Sequence, residues 1–382
     1  MTVVALLLFA LPLLSQTPTV IELDSKVMEE KRTILVSLPA SYDTAMRAYP
    51  VLYMTDGAAQ LPHTAATVEF LARNGRIPEL IVVGINNTDR TRDLTPTNVV
   101  NQAFDGQSFN FPTSGGADRF LTFIETEVIP EIEKRYRTEP YRVFAGHSFG
   151  GLFAMHALFT KPKLFNAWIA VSPTLTWERD YVERRAKEFV RNTRELNATL
   201  VFTHGDEPEL KLPAERLKRL FESKSPRGFE ATSLYFGEED HGSVVLPSHY
   251  DALRRIFGPW RFAIPRDADP KTLYGRAERH FEMVSKRTGY TVAIPEALTN
   301  AIGYRLLAAG LNADAVTVLR KNTEAYPQSA NVYDSLGEAL EKSGKIAEAR
   351  MNYERAWQVA KARNDANTEV FRQNYERLRI VP

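Results

Sequence analysis

Ser148 lies in the run Gly146-His147-Ser148-Phe149-Gly150, between an apolar stretch from Tyr141 to Ala145 and a helix-forming stretch from Leu152 to Phe159. That context is a nucleophile elbow. A serine on a tight strand-to-helix turn projects its hydroxyl above a sheet, and glycines flank it because a Cβ would clash in so sharp a bend. The helix that follows aims unpaired N–H groups and the positive end of its dipole at the place where an oxyanion forms. The chemistry offered is acyl transfer through a covalent serine intermediate; the bland alternative is a Gly-Ser turn that only joins a strand to a helix.

A serine nucleophile of this kind takes its acid and its histidine from later in the chain. The β-rich run Thr199 to Thr203 stops at His204-Gly205-Asp206-Glu207-Pro208-Glu209, three carboxylates on a loop past a strand end. A second run, Ala231 to Phe236, leads into Gly237-Glu238-Glu239-Asp240-His241-Gly242-Ser243. His241 is the general base: it takes the Ser148 proton and returns it to the leaving group, while a loop carboxylate holds its tautomer. The chain has seven histidines. His156 falls within the helix after the elbow, His63 and His280 sit in ordinary helical or loop surroundings, and His204 comes from the acid's own loop. His147 is expected to point away from the nucleophile, and His249 is the remaining rival.

Gly146 to Gly151, the segment Tyr49-Pro50-Val51-Leu52-Tyr53-Met54-Thr55-Asp56-Gly57, and Asp240-His241-Gly242-Ser243 together resemble the putative esterase family. Further matches are Arg92 to Pro96, Gly115 to Phe120, and Ser172-Pro173 ahead of Trp177. That family is similar in turn to the esterase D, siderophore and feruloyl esterase groups, with mycolyltransferases as relatives. The resemblance runs from residue 18 to 262. It implies an α/β-hydrolase fold, ester hydrolysis without cofactor or metal, Ser148 as nucleophile and His241 as base. The family shows a glycine-rich loop with one acidic residue where this chain has Gly-Asp-Glu-Pro-Glu, a departure that leaves three candidates for the acid, taken in the order Glu207, Asp206, Glu209.

Two backbone donors make an oxyanion hole. One is the N–H of Phe149; the other is assigned to Ala58, on the loop that ends the run Val51 to Met54. Arg90, Arg92 and Asp93 follow the strand candidate Leu80 to Val83, and an arginine there can grip a carboxylate or phenolate, as the resemblance to siderophore esterases suggests. The alternative is an Arg-Asp pair that pins the loop. Trp177 is either an apolar pocket wall or core filler.

Strand candidates at Thr33 to Leu38, Val51 to Met54, Leu80 to Val83, Tyr141 to Ala145, Ala167 to Val171 and Leu200 to Thr203 alternate with helical patterns near Thr64 to Arg73, Ala117 to Arg135 and Ala214 to Ser223. Such alternation predicts a mostly parallel sheet covered by helices. The domain runs from residue 17 to 262, and Pro265, Asp267, Asp269 and Pro270 mark a linker over 263–272. Residues 273–382 form a helical tail. In it Gly303 matches Gly337, Ala315 matches Ala349, and Leu319 matches Tyr353, at the spacing of about 34 residues of tetratricopeptide repeats. Asn322 stands where the second unit has Ala356. Two units fall below the usual minimum, so helices at Leu273 to Val284 and Thr368 to Leu378 complete the tail, or it packs on the catalytic domain; a protein partner bound by the tail is the alternative.

The balance of 48 basic against 47 acidic side chains argues against nucleic acid or an anionic membrane surface as partner. The expected partner is a small-molecule ester. Val3 to Leu14 reads as the core of a signal peptide over residues 1–16, which predicts export to the periplasm or medium; it is too short for a membrane anchor. With no cysteine, disulfides, thiolate chemistry and lipoprotein anchoring are excluded. The expectation is a serine carboxylesterase. An acyltransferase with the same triad is the enzymatic alternative, and an interaction protein with a degenerate hydrolase domain is the alternative from another class.

Overall fold

The computed structural model describes residues 17–104 and 107–379; the expected signal peptide lies outside the described residues. Contacts divide the chain after Gly258 into two compact units, four residues earlier than the sequence suggests. Trp260 and Phe262, expected in the first unit, have rings against Phe281 and His280 of the second.

The first unit is built on an eight-stranded sheet in the order β1-β2-β4-β3-β7-β8-β9-β10. The strands are β1 (Thr19–Ser25), β2 (Glu30–Ser37), β3 (Tyr49–Met54), β4 (Ile81–Ile85), β7 (Thr138–His147), β8 (Ala167–Val171), β9 (Glu195–His204) and β10 (Arg227–Tyr235), while β5 (Asn101–Phe104) and β6 (Gln107–Asn110) form a separate hairpin. Strands β1 and β2 are antiparallel to their neighbours and the rest run parallel. Parallel strands need crossovers, and the helices that supply them cover both faces. Strands β3, β4 and β8 are therefore buried at every position. Around them Phe144, Phe153, Phe165 and Trp168 interlock with ring centroids 5.0–6.1 Å apart.

The helices of this unit are α1 (Gly57–Arg73), α2 (Arg90–Leu94), α3 (Ala117–Phe123), α4 (Ile129–Arg135), α5 (Phe149–Thr160), α6 (Tyr181–Asn192), α7 (Pro208–Lys224) and α8 (Val245–Ile256). The single helix expected over Ala117 to Arg135 is α3 and α4 joined by a π-helical stretch, Ile124–Val128. The chain steps from β3 to β4 on one side and returns to β7 on the other, so the strand order reverses at β3. Crevices at the carboxyl ends of such a reversal are where ligands bind in open α/β sheets.

The second unit is helical: α9 (Pro270–Thr288), α10 (Glu296–Ala308), α11 (Asn312–Ala325), α12 (Ala330–Lys342), α13 (Ile346–Ala362) and α14 (Thr368–Arg379). The matched glycines have the same job in successive hairpins: a Cβ on Gly303 would sit 2.6 Å from Leu319 of α11, and one on Gly337 2.8 Å from Tyr353 of α13. Gly310 and Gly344, in the turns that follow α10 and α12, share a φ of 74°. Asn322 is buried, its amide donating to the Glu296 carbonyl and Asn300 Oδ1. Among the described residues no helix is long and apolar enough to cross a membrane.

Candidate active site

Five parallel strands end side by side, and each delivers one part of the site. Ser148 follows β7, Ser172 follows β8, Glu207 follows β9, His241 follows β10, and Asp56 follows β3. The ladder continues into the loops: the Ser148 N–H donates to Val171 O at 2.9 Å and the Ser172 N–H to Thr203 O at 2.8 Å.

Ser148 has φ 60° and ψ −117°, outside the favoured wells of an L-residue. Such a backbone costs about 1–3 kcal/mol and persists only where the surroundings over-determine it. Here they do: a Cβ on Gly146 would strike the Gly150 backbone, so the turn closes only with glycine. Helix α5 is then buried almost all round, which fixes the direction of its N-terminus. Phe149 opens that helix, and its N–H has no partner within the helix.

His241 Nδ1 faces Glu207 Oε2 at 2.5 Å. Glu207 is buried, and its other oxygen accepts from Ser172 Oγ at 2.6 Å and the Gly205 N–H at 3.1 Å. Burial alone would raise its pKa, but the hydrogen bonds from His241, Ser172 and Gly205 and the His241 charge hold it below the ordinary value. The Glu207 bond raises the pKa of His241, with burial opposing. Of the three loop carboxylates, only Glu207 bonds His241. Asp206 is exposed and bonds Lys211 Nζ at 2.7 Å and the Tyr235 hydroxyl at 3.1 Å, and Glu209 is exposed.

His147 does not point away, as its place beside the nucleophile suggests. Its Nε2 lies 2.7 Å from the His241 carbonyl oxygen, with the two rings 4.7 Å apart. Burial, then the neighbouring His241, pulls its pKa down to about 4. His249 is buried in α8 with Nδ1 on Thr64 Oγ1 at 2.9 Å and its ring stacked on His63, so its Nδ1 is already engaged. His156 bonds Asp118 and the Tyr181 hydroxyl.

Three expected residues are placed otherwise than the sequence suggests. The Ala58 N–H donates to Asn86 Oδ1 at 2.8 Å; the second residue of α1 satisfies its orphan donor that way and does not present it to a substrate. Arg92 is consumed by Glu30 and Asp93, in a network whose centre is the fully buried pair Arg32–Asp93 at 2.8 Å. Trp177 is fully buried, with Nε1 on Thr97 Oγ1 at 2.9 Å, and backs the site from within the core. Arg90 lies beside the elbow. It grips Asp56 Oδ1 from Nε at 2.7 Å, reaches the His147 carbonyl from Nη2 at 3.1 Å, and lies over the Phe149 ring at 5.6 Å. The clamp on Asp56, and Ser172 as a support for Glu207, are partners that sequence reasoning did not assign; Ser172-Pro173 at a strand end was the one signal for the second.

This sheet, with a strained serine after one central strand and a carboxylate–histidine pair on the next loops, defines an α/β hydrolase. The chain belongs to the putative esterase family, whose model matches residues 25–224. It is similar to the ferri-bacillibactin esterase BesA of Bacillus subtilis, 30% identical over 253 residues that cover 60% of this chain and 86% of that protein. It is also similar to the siderophore enterobactin esterase of Emericella nidulans, 34% identical over 171 residues, 39% of this chain and 54% of that one. Among solved structures, an IroE-like serine hydrolase from Shewanella oneidensis superposes with a TM-score of 0.69 at 30% identity, covering 80% of this chain and 99% of its own. The protein is a carboxylic ester hydrolase.

Proposed function

We propose that this esterase works through an acyl-enzyme on Ser148, with His241 as general base and Glu207 as the carboxylate that orients it. The observation that carries the reading is the Glu207 Oε2–His241 Nδ1 contact of 2.5 Å beside a serine held at φ 60°. A carboxylate on Nδ1 fixes the proton there and leaves Nε2 to take the Ser148 proton as Oγ attacks the ester carbonyl. The imidazolium then protonates the leaving alcohol, and water repeats the sequence to release the acid. The Phe149 N–H supports the oxyanion, helped by the dipole of α5.

The substrate class proposed is an aryl or siderophore ester. It rests on the substrates named for the relatives. Export behind the leader belongs to the same reading, and sequencing the N-terminus of the mature protein tests it. Turnover of a simple aryl ester by Ser148→Ala tests the mechanism. A loss of several orders of magnitude, with loss of fluorophosphonate labelling and an unchanged circular dichroism spectrum, is expected; near-normal turnover by the folded variant would sink it.

A further inference from the structure

The β5–β6 hairpin stands apart from the main sheet. Every residue of β6 is exposed, and a two-stranded ribbon alone is marginally stable in water. Its base is nevertheless anchored to the loop after β8. Gln102 Oε1 accepts from the Glu178 N–H at 3.0 Å, and Thr97, just ahead of the hairpin, accepts from Trp177 Nε1.

That anchorage sets out a row of aromatic rings. Trp177 is fully buried, and Phe111 packs on it at 5.6 Å and edge-on to Phe149 at 5.4 Å. Phe109 lies nearly parallel to Phe111, at 22° and 6.3 Å, and is 43% exposed. The row thus begins in the core, passes the residue that follows Ser148, and ends on the exposed strand β6.

We infer that Phe109 and Phe111 form an aryl-binding shelf that selects esters carrying a planar aromatic ring, resting on the reading of Ser148 as nucleophile. The geometry fits that occupant. A flat ring laid on the exposed side of Phe109 extends the stack that runs to Phe111, and gains offset-stacking contacts that a saturated ring of similar size does not.

The test compares kcat/KM for matched esters: ethyl benzoate against ethyl cyclohexanecarboxylate, and phenyl acetate against cyclohexyl acetate. In Phe109→Ala the aromatic preference falls about two- to tenfold in at least one pair, and in Phe109→Trp it is kept, because an aromatic contact is worth about 0.5–1.5 kcal/mol beyond area burial. Melting temperatures of both variants check that the enzyme stays folded. Wild-type enzyme that cleaves these esters, with the ratio unmoved in Phe109→Ala for both pairs, overturns the shelf alone. Wild-type enzyme that is labelled at Ser148 by a fluorophosphonate yet cleaves neither aryl ester overturns the aryl class and the shelf together.

Discussion

The Nε2 of His147 lies 2.7 Å from the backbone carbonyl oxygen of His241, tying the residue before the nucleophile to the residue proposed as its base. A carbonyl only accepts, so Nε2 carries the proton. His147 is neutral above pH of about 4, because burial and its neighbour depress its pKa, and it remains the same donor across the working range. His241 stands in a turn that Asp240 braces through the Gly242 and Ser243 N–H groups, and the His147 bond ties its backbone to the elbow. We therefore expect His147→Ala to lower kcat by about ten- to a hundredfold, the range that small misplacements of reacting groups cost, with little change in KM. His147→Gln, whose amide can donate to the same carbonyl, recovers part of the loss. Equal kcat in all three enzymes would remove His147 from the mechanism.

Glu207→Gln is expected to cost roughly 10³- to 10⁴-fold in kcat, since an amide keeps the shape but favours the wrong tautomer of His241. The pH profile adds a second readout. A base works when neutral, so the rate falls as pH drops through the His241 pKa, which Glu207 holds above the ordinary value. Removing that carboxylate lowers the histidine's pKa and moves the acid limb of the residual activity to lower pH. Asp206→Asn, altering a side chain bonded to Lys211 and Tyr235, leaves both rate and limb near wild type.

The parts of this fold that sequence reveals are those fixed by local chemistry. The elbow is one, because its glycines and strained serine are contiguous; the loop holding Glu207 is another, because it follows the buried parallel strand β9 with its apolar run, whereas the loop holding His241 follows the edge strand β10, in which only Phe229 is buried. Strand β1 was not recognised: it is an edge strand with mostly polar, exposed positions. Strand β6 is exposed at every position and so carries no alternation of buried and exposed residues. Contacts between distant residues were equally hidden. Ala58 loses its role to Asn86, Arg92 to Glu30, and His147 finds a carbonyl 94 residues away. Spacing along the chain says which groups are near a strand end, and competition among neighbours in space decides which remain open to a substrate.

Buried histidines make the stability of this protein sensitive to acid. Burial, reinforced by His63 and His147, depresses the pKa of His249 to about 3, while the unfolded chain titrates near the ordinary value of about 6.5. Below that value the unfolded state binds the extra proton, so stability falls as pH drops from about 6.5 toward 3 and is unaffected above that range. His249→Gln keeps a donor for Thr64 Oγ1 and removes the titration. Denaturant midpoints measured between pH 7.5 and 4.5 are expected to drop less steeply in the variant than in wild type, and identical slopes would assign the acid sensitivity to other groups.

Gly337 offers a test of how the helical unit is packed. Its α-carbon lies so close to α13 that a methyl group would sit 2.8 Å from the Tyr353 ring, and Tyr353 is itself buried and held by a hydroxyl bond to Glu341 at 3.0 Å. Neither side can move cheaply, so Gly337→Ala is expected to destabilise the unit by about 1–3 kcal/mol, the usual cost of overpacking, although alanine is the better helix former. Tyr353→Leu removes the obstructing ring and, alone, costs stability through lost packing. If steric conflict with Tyr353 is the cause, the double variant is more stable than the sum of the single changes predicts, by at least about 0.5 kcal/mol in a double-mutant cycle followed by helical circular dichroism. Strict additivity would mean that the cost of Gly337→Ala does not arise from the Tyr353 ring.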